Sequence, residues 1–383
     1  MGLLNLHPET LALFRKELHQ NPELSGEEKH TAKRVVEFLK NYAPDEIITN
    51  VGGHGVVAIY KGKKSGKTTL FRCELDALPI QEINDFDYKS TVDGVSHKCG
   101  HDGHMAILCG LAAILSADRP KKGTVVLLFQ PAEEDGSGAN KVYNDAKFKE
   151  LEPDYVFALH NLPGFPEQQI IVKNGTFSCA VKSLIIKLSG VTSHAGEPEN
   201  GVNPALAISE IIKTFNSMIQ ADIKRSDYFL LTPIHIRMGE EAYGVSAGDA
   251  EVHYTIRTNS NYQMDLNAKL LEEVILTIGN HFKLESEVKW LQPFRANENS
   301  PKAVDMIRKA AEEEQLEVLE KSTPFSWGED FGIFTEHYTG AMFGLGAGIT
   351  MPALHNPDYD YPDEISNTGI SIFYKICQAI HHA

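Results

Sequence analysis

Apolar residues recur along the first half of this chain at two distinct spacings, which predict two kinds of element. A helical period over Pro8–Gln20 and Gly26–Tyr42 predicts amphipathic helices, and Met105–Leu115 is apolar nearly all round, which predicts a buried helix. Short, almost wholly apolar runs predict strands covered on both faces: Gly55–Tyr60, Thr68–Leu75, Gly123–Phe129 and Asp154–Leu159. The alternation of helices with buried strands predicts a three-layer α/β domain with a mainly parallel sheet.

The pattern changes near Phe177. From Cys179 to Pro293 it predicts the order strand, helix, strand, strand, helix, strand, which is that of a ferredoxin-like α+β domain. The first pattern then resumes with a helix, a strand and a final helix, at Pro301–Gln315, Gly340–Gly346 and Thr368–Ala379. We therefore predict a discontinuous larger domain, residues 1–177 and 294–383, with a smaller domain of residues 178–293 inserted into it.

Composition excludes several classes of protein. The chain of 383 residues has room for two domains, and its net charge of −16 argues against nucleic acid and anionic membranes as partners. No apolar run approaches the roughly 20 residues that span a bilayer, and Met1–Gln20 lacks the apolar core of a secretory signal. The five cysteines are few, odd in number and scattered, which is not a disulfide framework. These features together predict a cytoplasmic protein.

The segment Cys99-Gly-His-Asp-Gly-His104 concentrates thiol, imidazole and carboxylate groups immediately before the predicted buried helix. A sulfur ligand beside imidazoles favours zinc over calcium or magnesium. Taken alone, the segment is more often a buried cysteine and two histidines that start a helix. We favour a metal site because further ligand-type residues recur downstream at the ends of strands.

Those residues follow the predicted strands. They are Asp76, the pair Glu133-Glu134, His160 and, in a loop after the last strand, His355. The ends of parallel strands open on the same edge of a sheet, where α/β proteins bind ligands. Each residue alone has an ordinary explanation, such as a solvated acidic turn or a histidine bonded to backbone. Two adjacent glutamates repel each other unless one binds a cation and the other carries a proton, so the set favours a metal site.

With these motifs, the chain resembles the dinuclear zinc aminoacylase/carboxypeptidase family. It is most similar to the amidohydrolase branch that holds hippurate hydrolases, auxin-conjugate hydrolases and N-acyl-amino-acid amidohydrolases. The resemblance spans essentially the whole chain, and these segments carry it: Leu70–Pro79, Cys99–His104, Gln130–Glu134, Ala158–His160, Ser193–Ala195, Ile256–Thr258, Gly328–Phe331 and His355–Pro357. Cys-Gly-His-Asp-Gly-His together with Gln-Pro-Ala-Glu-Glu is a highly specific combination.

The resemblance implies two divalent metal ions. Cys99 would bridge them, with His101 and His160 completing one site and Glu134 and His355 the other. Zinc is the first expectation, although imidazole and carboxylate ligands also accept manganese, cobalt or nickel. Where related peptidases have a metal-binding histidine in the first strand motif, this chain has a glutamate, so His101 is its natural substitute.

The resemblance also implies a catalytic set of Glu133, Asp76 and His194. Glu133 would be the general base that takes a proton from the attacking water and passes it to the departing amine. Asp76 would steady a histidine ligand. His194, in the inserted domain, would reach over the metals, often from a partner subunit, and stabilise the oxyanion. Arg257, with His194, would bind the substrate, because a guanidinium suits a carboxylate.

Two departures from the family pattern leave the choice of substrate open. Gly244–Gly248 stands where an Asn followed by an Ile-Pro pair is usual, and His253 stands where small residues are common. Both lie in the inserted domain, through which the resemblance implies a homodimer.

These observations predict a metal-dependent amidohydrolase that acts on N-acyl-L-amino acids or related small conjugates. Two alternatives share the chemistry: a dipeptidase or carboxypeptidase on small peptides, and an N-acetyl-diaminopimelate-type deacetylase. A thiol hydrolase using Cys99 with His101 is a different class, as is a binding protein without catalysis.

Overall fold

The computed structural model describes residues 8–382. Its α-helices are α1 (Pro8–Gln20), α2 (Lys29–Lys40), α3 (His101–Ala117), α4 (Gly138–Asn144), α5 (Ala146–Lys149), α6 (Ala205–Met218), α7 (Asn261–His281), α8 (Pro301–Glu313), α9 (Gly332–His337) and α10 (Ser366–His381). Its strands are β1 (Glu46–Val51), β2 (Gly55–Lys61), β3 (Lys64–Glu74), β4 (Lys122–Gln130), β5 (Tyr155–Leu162), β6 (Ile170–Val172), β7 (Gly175–Ser178), β8 (Ala180–Ser189), β9 (Ser193–His194), β10 (Phe229–Met238), β11 (Val245–Ser246), β12 (Asp249–Thr258), β13 (Glu285–Phe294), β14 (Asn297–Asn299), β15 (Val318–Glu320) and β16 (Thr339–Gly346).

The chain divides into two compact units. The first consists of residues up to Phe177, Asn297–Ser322 and the residues from Asp330 onward, and the second consists of Ser178–Ala296 with Thr323–Glu329. The sequence pattern places the whole of 294–383 in the larger domain, whereas residues 294–296 and Thr323–Glu329 fall in the second unit. Thr323–Glu329 groups with the second unit because Phe325 pairs with its first residues, accepting a hydrogen bond from the backbone of Cys179 at 3.0 Å.

The first unit is built on a sheet with the strand order β1-β2-β4-β3-β5-β16-β6-β15. Its four central strands, β4, β3, β5 and β16, run parallel, and β1 and β2 extend it in antiparallel pairing. Every residue of β5 is buried, as expected for a strand covered on both faces. The predicted α/β domain with a mainly parallel sheet is confirmed.

The second unit contains a four-stranded antiparallel sheet with the order β10-β12-β8-β13. Alternate residues of its central strands, such as Leu184 on β8 and Val252 on β12, form a core with Ile211 of α6 and Leu271 of α7. The strand and helix order matches the predicted ferredoxin-like domain. This prediction is therefore also confirmed.

Element boundaries differ from the predictions at several helix ends. The helix predicted over Gly26–Tyr42 begins at Lys29. The first helix predicted after Cys179 is α6, which ends at Met218, where Ile219 takes up extended backbone. No helix among residues 8–382 is both long and apolar enough to cross a membrane. Residues 1–7 of the segment that we expect to lack a signal core lie outside the described residues.

Close packing of α3 yields a first testable prediction. A Cβ added to Gly103 would lie 2.3 Å from Cδ2 of Tyr361, a buried ring whose hydroxyl is hydrogen-bonded to Ser366. Since the ring cannot withdraw easily, we expect Gly103→Ala to lower the free energy of unfolding by about 1–3 kcal/mol. Chemical denaturation measures this change.

Gly244→Ala is the matched control for this substitution. Among the described atoms, none lies within 4 Å of a Cβ built at Gly244. The control should therefore change stability by no more than about 0.5 kcal/mol. Equal stability of the two variants would contradict the tight contact between α3 and Tyr361.

Candidate metal centre

A left-handed turn at Gly100 lies between Cys99 and His101, the first residue of α3. Gly100 has φ +88°, and a Cβ there would lie 2.8 Å from the side-chain amide of Asn161. Both the backbone conformation and the space therefore require glycine. The turn lets Cys99, before it, and His101, in the first helical turn, contribute to the same cluster of side chains.

The other predicted ligands arrive from the carboxyl ends of the central strands and from one late loop. Cys99 Sγ lies 3.5 Å from Nε2 of His160, which is on β5. Glu134 follows β4, and its Oε1 lies 3.9 Å from Nε2 of His101. The same oxygen lies 3.7 Å from Nε2 of His355, a half-exposed side chain in the loop after β16.

These side chains form two ligand groups that share one residue. Cys99, His101 and His160 make the first, and Cys99, Glu134 and His355 make the second, with the candidate ligand atoms of each group within 4.8 Å of one another. The structure thus brings together all of the residues proposed as metal ligands from the sequence. Sulfur, imidazole and carboxylate are the donors that zinc and related divalent cations take.

Hydrogen bonds orient both histidines of the first group. His101 Nδ1 donates to the backbone oxygen of Asp76 at 3.0 Å, and His160 Nδ1 donates to that of Asn161 at 2.9 Å. In each ring Nε2 is therefore the nitrogen directed to the cluster, an arrangement typical of metal-binding histidines. Within the described residues, His101 Nε2 is buried and has no hydrogen-bond partner. A cation would satisfy that nitrogen, so the site fits a metal ion.

His104, the second histidine of the motif, is held elsewhere. Its Nδ1 donates to Glu74 at 2.7 Å, and its Nε2 accepts from the backbone N–H of Asn161 at 3.2 Å. Glu74 in turn pairs with the buried guanidinium of Arg72. Glu74, His101 and His104 also lie close enough to be considered as a ligand group, but these bonds occupy His104 and Glu74.

Carboxylates dominate the electrostatics of the centre. Burial, together with Glu134 and Glu133, raises the pKa of the Cys99 thiol well above its usual range. Burial opposes charge on His101, yet its hydrogen bond with Asp76 and the nearby Glu74 and Glu134 raise its pKa to about 10. The negative charge that favours a proton on His101 would equally favour a divalent cation in place of that proton.

Burial also lowers the pKa of His160 to about 3, with the neighbouring His104 acting in the same direction. The pKa of His355 is lowered by burial and by His101. Both rings are therefore neutral at physiological pH, which is the form that binds metal ions.

Glu133 lies beside these groups and is 5% exposed. Its Oε1 accepts a hydrogen bond from the backbone N–H of Asp330 at 3.4 Å. Asp330 is itself fixed by Arg72 at 2.7 Å and by the side chain of Gln130 at 2.9 Å. Asp330 and Gln130 belong to segments that carried the family resemblance, but the sequence had assigned no role to either.

Asp76 contacts both a ligand residue and the loop that follows β4. Its Oδ1 lies 3.4 Å from His101 Nδ1, and its Oδ2 accepts from Ser25 Oγ at 2.7 Å and from the backbone N–H of Glu134 at 2.9 Å. Although burial opposes it, the hydrogen bond from His101 lowers the pKa of Asp76. Asp76 is thus placed to orient His101.

A buried network of charged side chains, which includes Asp102 of α3, was not predicted from the sequence. Asp102 accepts from His19 Nδ1 at 2.8 Å and from Arg15, and Lys98 pairs with Glu82 and donates to the backbone oxygen of Tyr359. Burial opposes charge on His19, but its bonds to Asp102 and Glu82 raise its pKa to about 9. Lys98 and Asp102 flank Cys99 and His101, so the network anchors the ligand segment. Lys98 and Asp102 stand among polar residues in the sequence, so the apolar spacing carried no signal of this network.

The remaining predicted site residues, His194 and Arg257, belong to the second unit. His194 lies on β9, is exposed, and its Nδ1 accepts from the backbone N–H of Gly196 at 3.0 Å, which leaves the proton on Nε2. Arg257 lies on β12 and donates from Nη1 to the backbone oxygen of Ser326 at 2.6 Å. A histidine with its proton on Nε2 can donate a hydrogen bond from that nitrogen.

Comparison with known proteins gives concordant matches. The model of peptidase family M20/M25/M40 matches residues 70–379. N-acetylcysteine deacetylase of Bacillus subtilis is 29% identical over 95% of this chain and 94% of its own length. Hippurate hydrolase of Campylobacter jejuni is 29% identical over 97% of this chain and 98% of its own. The Bacillus subtilis YXEP protein, a dinuclear metal binding peptidase from the M20 family, has a similar structure with a TM-score of 0.83, at 26% identity and 98% coverage of both chains.

Proposed function

The chain belongs to peptidase family M20/M25/M40, and from this membership we propose that it is a metal-dependent amidohydrolase that cleaves the amide bond of N-acyl-L-amino acids or related small conjugates. One observation carries the proposal: the ligand groups that share Cys99 lie next to the buried carboxylate of Glu133. The relatives that deacetylate N-acetylcysteine and hydrolyse hippurate support this class of substrate.

The proposal assigns two divalent cations to the centre, held by Cys99, His101 and His160 and by Cys99, Glu134 and His355. Zinc is the first candidate because sulfur and imidazole donors predominate, and manganese, cobalt and nickel are the others. When bound, such ions polarise an amide carbonyl and make water more acidic. The dinuclear metal-binding neighbour of known structure supports the stoichiometry.

The residues of this chain would move the proton and stabilise the developing charge. Glu133 takes the proton of the attacking water and delivers it to the departing amine nitrogen. The backbone N–H of Asp330 steadies the Glu133 carboxylate, and Asp76 keeps His101 oriented. His194, through Nε2–H, would donate to the oxyanion of the tetrahedral intermediate.

Arg257 is proposed to bind the carboxylate of the substrate. A guanidinium makes two parallel hydrogen bonds to a carboxylate, whereas an ammonium is a point charge. We expect Arg257→Lys to raise KM by about 10-fold or more for an N-acyl-amino acid, and much less for the corresponding amino-acid amide. Steady-state kinetics on this substrate pair measures the difference.

Arg225→Lys is a suitable control because Arg225 is an exposed arginine of the same unit that pairs with Asp227. It should leave both KM values unchanged. If Arg257→Lys raised KM equally for both substrates, Arg257 would not be the carboxylate-binding residue.

Metal removal and a substrate panel test the proposed function. The purified protein should contain two divalent ions per chain by elemental analysis, lose activity on chelation, and regain it when zinc or manganese is added back. The panel pairs N-acetyl- and N-benzoyl-amino acids with dipeptides. If the protein hydrolysed only dipeptides, it would be a dipeptidase and the proposed activity would be wrong. If it hydrolysed none of these compounds, a binding protein without catalysis would be favoured.

The same experiment distinguishes the proposed metal-dependent amidohydrolase from a thiol hydrolase that uses Cys99 and His101. Activity that survived chelation and was lost with a thiol reagent would favour that class. The surroundings of Cys99 oppose it, because reactive thiolates lie in electropositive sites and this thiol lies among carboxylates.

We also propose that the protein is a cytoplasmic homodimer that associates through the second unit. Strand β10 is at an edge of its sheet, and its outer half exposes Ile234, Ile236 and Met238. An exposed apolar edge strand is suited to pairing with a second copy, which light scattering would detect as twice the chain mass.

All five described cysteines are free and buried, which supports a reducing compartment.

A further inference from the structure

The loop Pro131–Glu134 must hold two adjacent glutamates in different places. Glu134 Oε1 lies near His101 and His355, whereas Glu133 Oε1 lies against the backbone of Asp330. The residue before them, Ala132, has φ +52° and is buried. A left-handed conformation is unfavourable for a residue that has a Cβ, so neighbouring groups must hold it.

Glu28, the residue immediately before α2, fixes this loop by hydrogen bonds. Its carboxylate is fully buried, and Oε1 accepts the backbone N–H of Ala132 at 2.8 Å and that of Gly26 at 2.7 Å. On the other side of Glu133, Asp76 Oδ2 accepts the N–H of Glu134. Two buried carboxylates therefore fix the peptide groups on either side of Glu133.

We propose that Glu28 is a positioning residue for Glu133. By accepting the N–H of Ala132, Glu28 maintains the left-handed turn that directs the Glu133 carboxylate to the position required for proton transfer. The inference rests on the proposed function, in which Glu133 is the general base. Glu28 is 104 positions away from Ala132 in the chain. Its side chain accepts hydrogen bonds from Gly26 and Ala132, neither of which is a proposed metal ligand.

The hydrogen bonds require an acceptor oxygen at this place and not a negative charge. Burial and the nearby carboxylate of Asp76 raise the pKa of Glu28 to about 7, so the neutral form is compatible with the site. A glutamine keeps the carbonyl oxygen that receives both N–H groups. An aspartate withdraws it by one methylene group, and an alanine removes it.

Glu23 supplies the matched control. It also stabilises the start of α2, since Glu23 Oε2 accepts the backbone N–H of Thr31 at 2.7 Å and its hydroxyl at 2.8 Å. Glu23→Ala therefore loosens the same helix start without removing the acceptor for Ala132.

The experiment compares Glu28→Ala, Glu28→Gln and Glu23→Ala with the wild type in kcat, KM, metal content and melting temperature, using an N-acyl-amino acid. We expect Glu28→Ala to lower kcat about 10- to 100-fold, with KM within about threefold and both metal ions retained. Glu28→Gln should remain within about threefold of wild type in kcat, and Glu23→Ala should lose thermal stability but keep its kcat.

Three results would overturn the inference: a wild-type kcat for Glu28→Ala, a loss of kcat that follows loss of metal, or a Glu28→Gln enzyme as slow as Glu28→Ala. If Glu28→Ala does not fold, Glu28→Asp provides the same comparison with a displaced acceptor. Wild-type turnover by Glu133→Gln would refute the proposed function. An inactive Glu133→Gln with a fully active Glu28→Ala would refute only the role of Glu28.

Discussion

Glu133→Gln is expected to lower kcat by roughly 100-fold or more while the enzyme keeps its metal ions. The amide is nearly the same size as the carboxylate and can still interact with the N–H of Asp330, but it cannot take a proton from water. Glu133 lies next to the ligand residue Glu134, so metal content must be measured together with turnover. Steady-state kinetics and elemental analysis on the same preparation give both quantities.

Asp135→Asn is the matched control for Glu133→Gln. Asp135 is the next acidic residue in the chain and is exposed, and its side chain accepts the backbone N–H of Ser137 at 2.8 Å. This substitution removes the same charge from the same loop and should leave kcat unchanged within about twofold. Near wild-type turnover by Glu133→Gln would exclude Glu133 as the general base.

Cys99→Ala should remove both metal ions at once, because Cys99 is the residue common to the two ligand groups. Loss of both cations removes several kcal/mol of transition-state stabilisation, so we expect kcat/KM to fall by about 1000-fold or more. Elemental analysis should show a metal content close to zero. If Cys99 bound only one of the two ions, the variant would keep the other ion.

Cys109→Ala is the corresponding control. Cys109 is a buried thiol of α3, the helix that begins two residues after Cys99, and packs in the core of the first unit. Its replacement should cost some stability by leaving a small cavity, while metal content and turnover stay at wild-type values. Retention of two ions by Cys99→Ala would contradict a bridging role for the thiol.

The sequence predicted the fold class because the responsible signals are local. Apolar runs such as Asp154–Leu159 predicted buried strands, and β5 is buried throughout. The change of pattern near Phe177 predicted the ferredoxin-like unit, whose strand order then follows from general rules of chain connection. Helix ends were less accurate, because capping by loop residues leaves a weak trace in apolar spacing.

The ligand set could also be proposed from sequence. Motifs and strand ends supplied the candidates, the family resemblance implied Cys99, His101, Glu134, His160 and His355, and these side chains lie together in the structure. The residues that hold the site in place could not be proposed in this way. Glu28 and Arg72 carry ordinary side chains in ordinary patterns, and their importance comes from bonds to Ala132 and Asp330. Those partners are 104 and 258 positions away in the chain.

By itself, then, the sequence determined the elements, the architecture of each unit and the chemistry available to the site. The resemblance had named His101 as the ligand, but the reason lies in the tertiary structure alone: the bonds of His104 to Glu74 and Asn161 occupy both its nitrogens, whereas His101 directs Nε2 to the cluster. The physical reason is that residue type and spacing specify which groups a chain possesses. Which group is already satisfied depends on partners that only folding brings within hydrogen-bond distance.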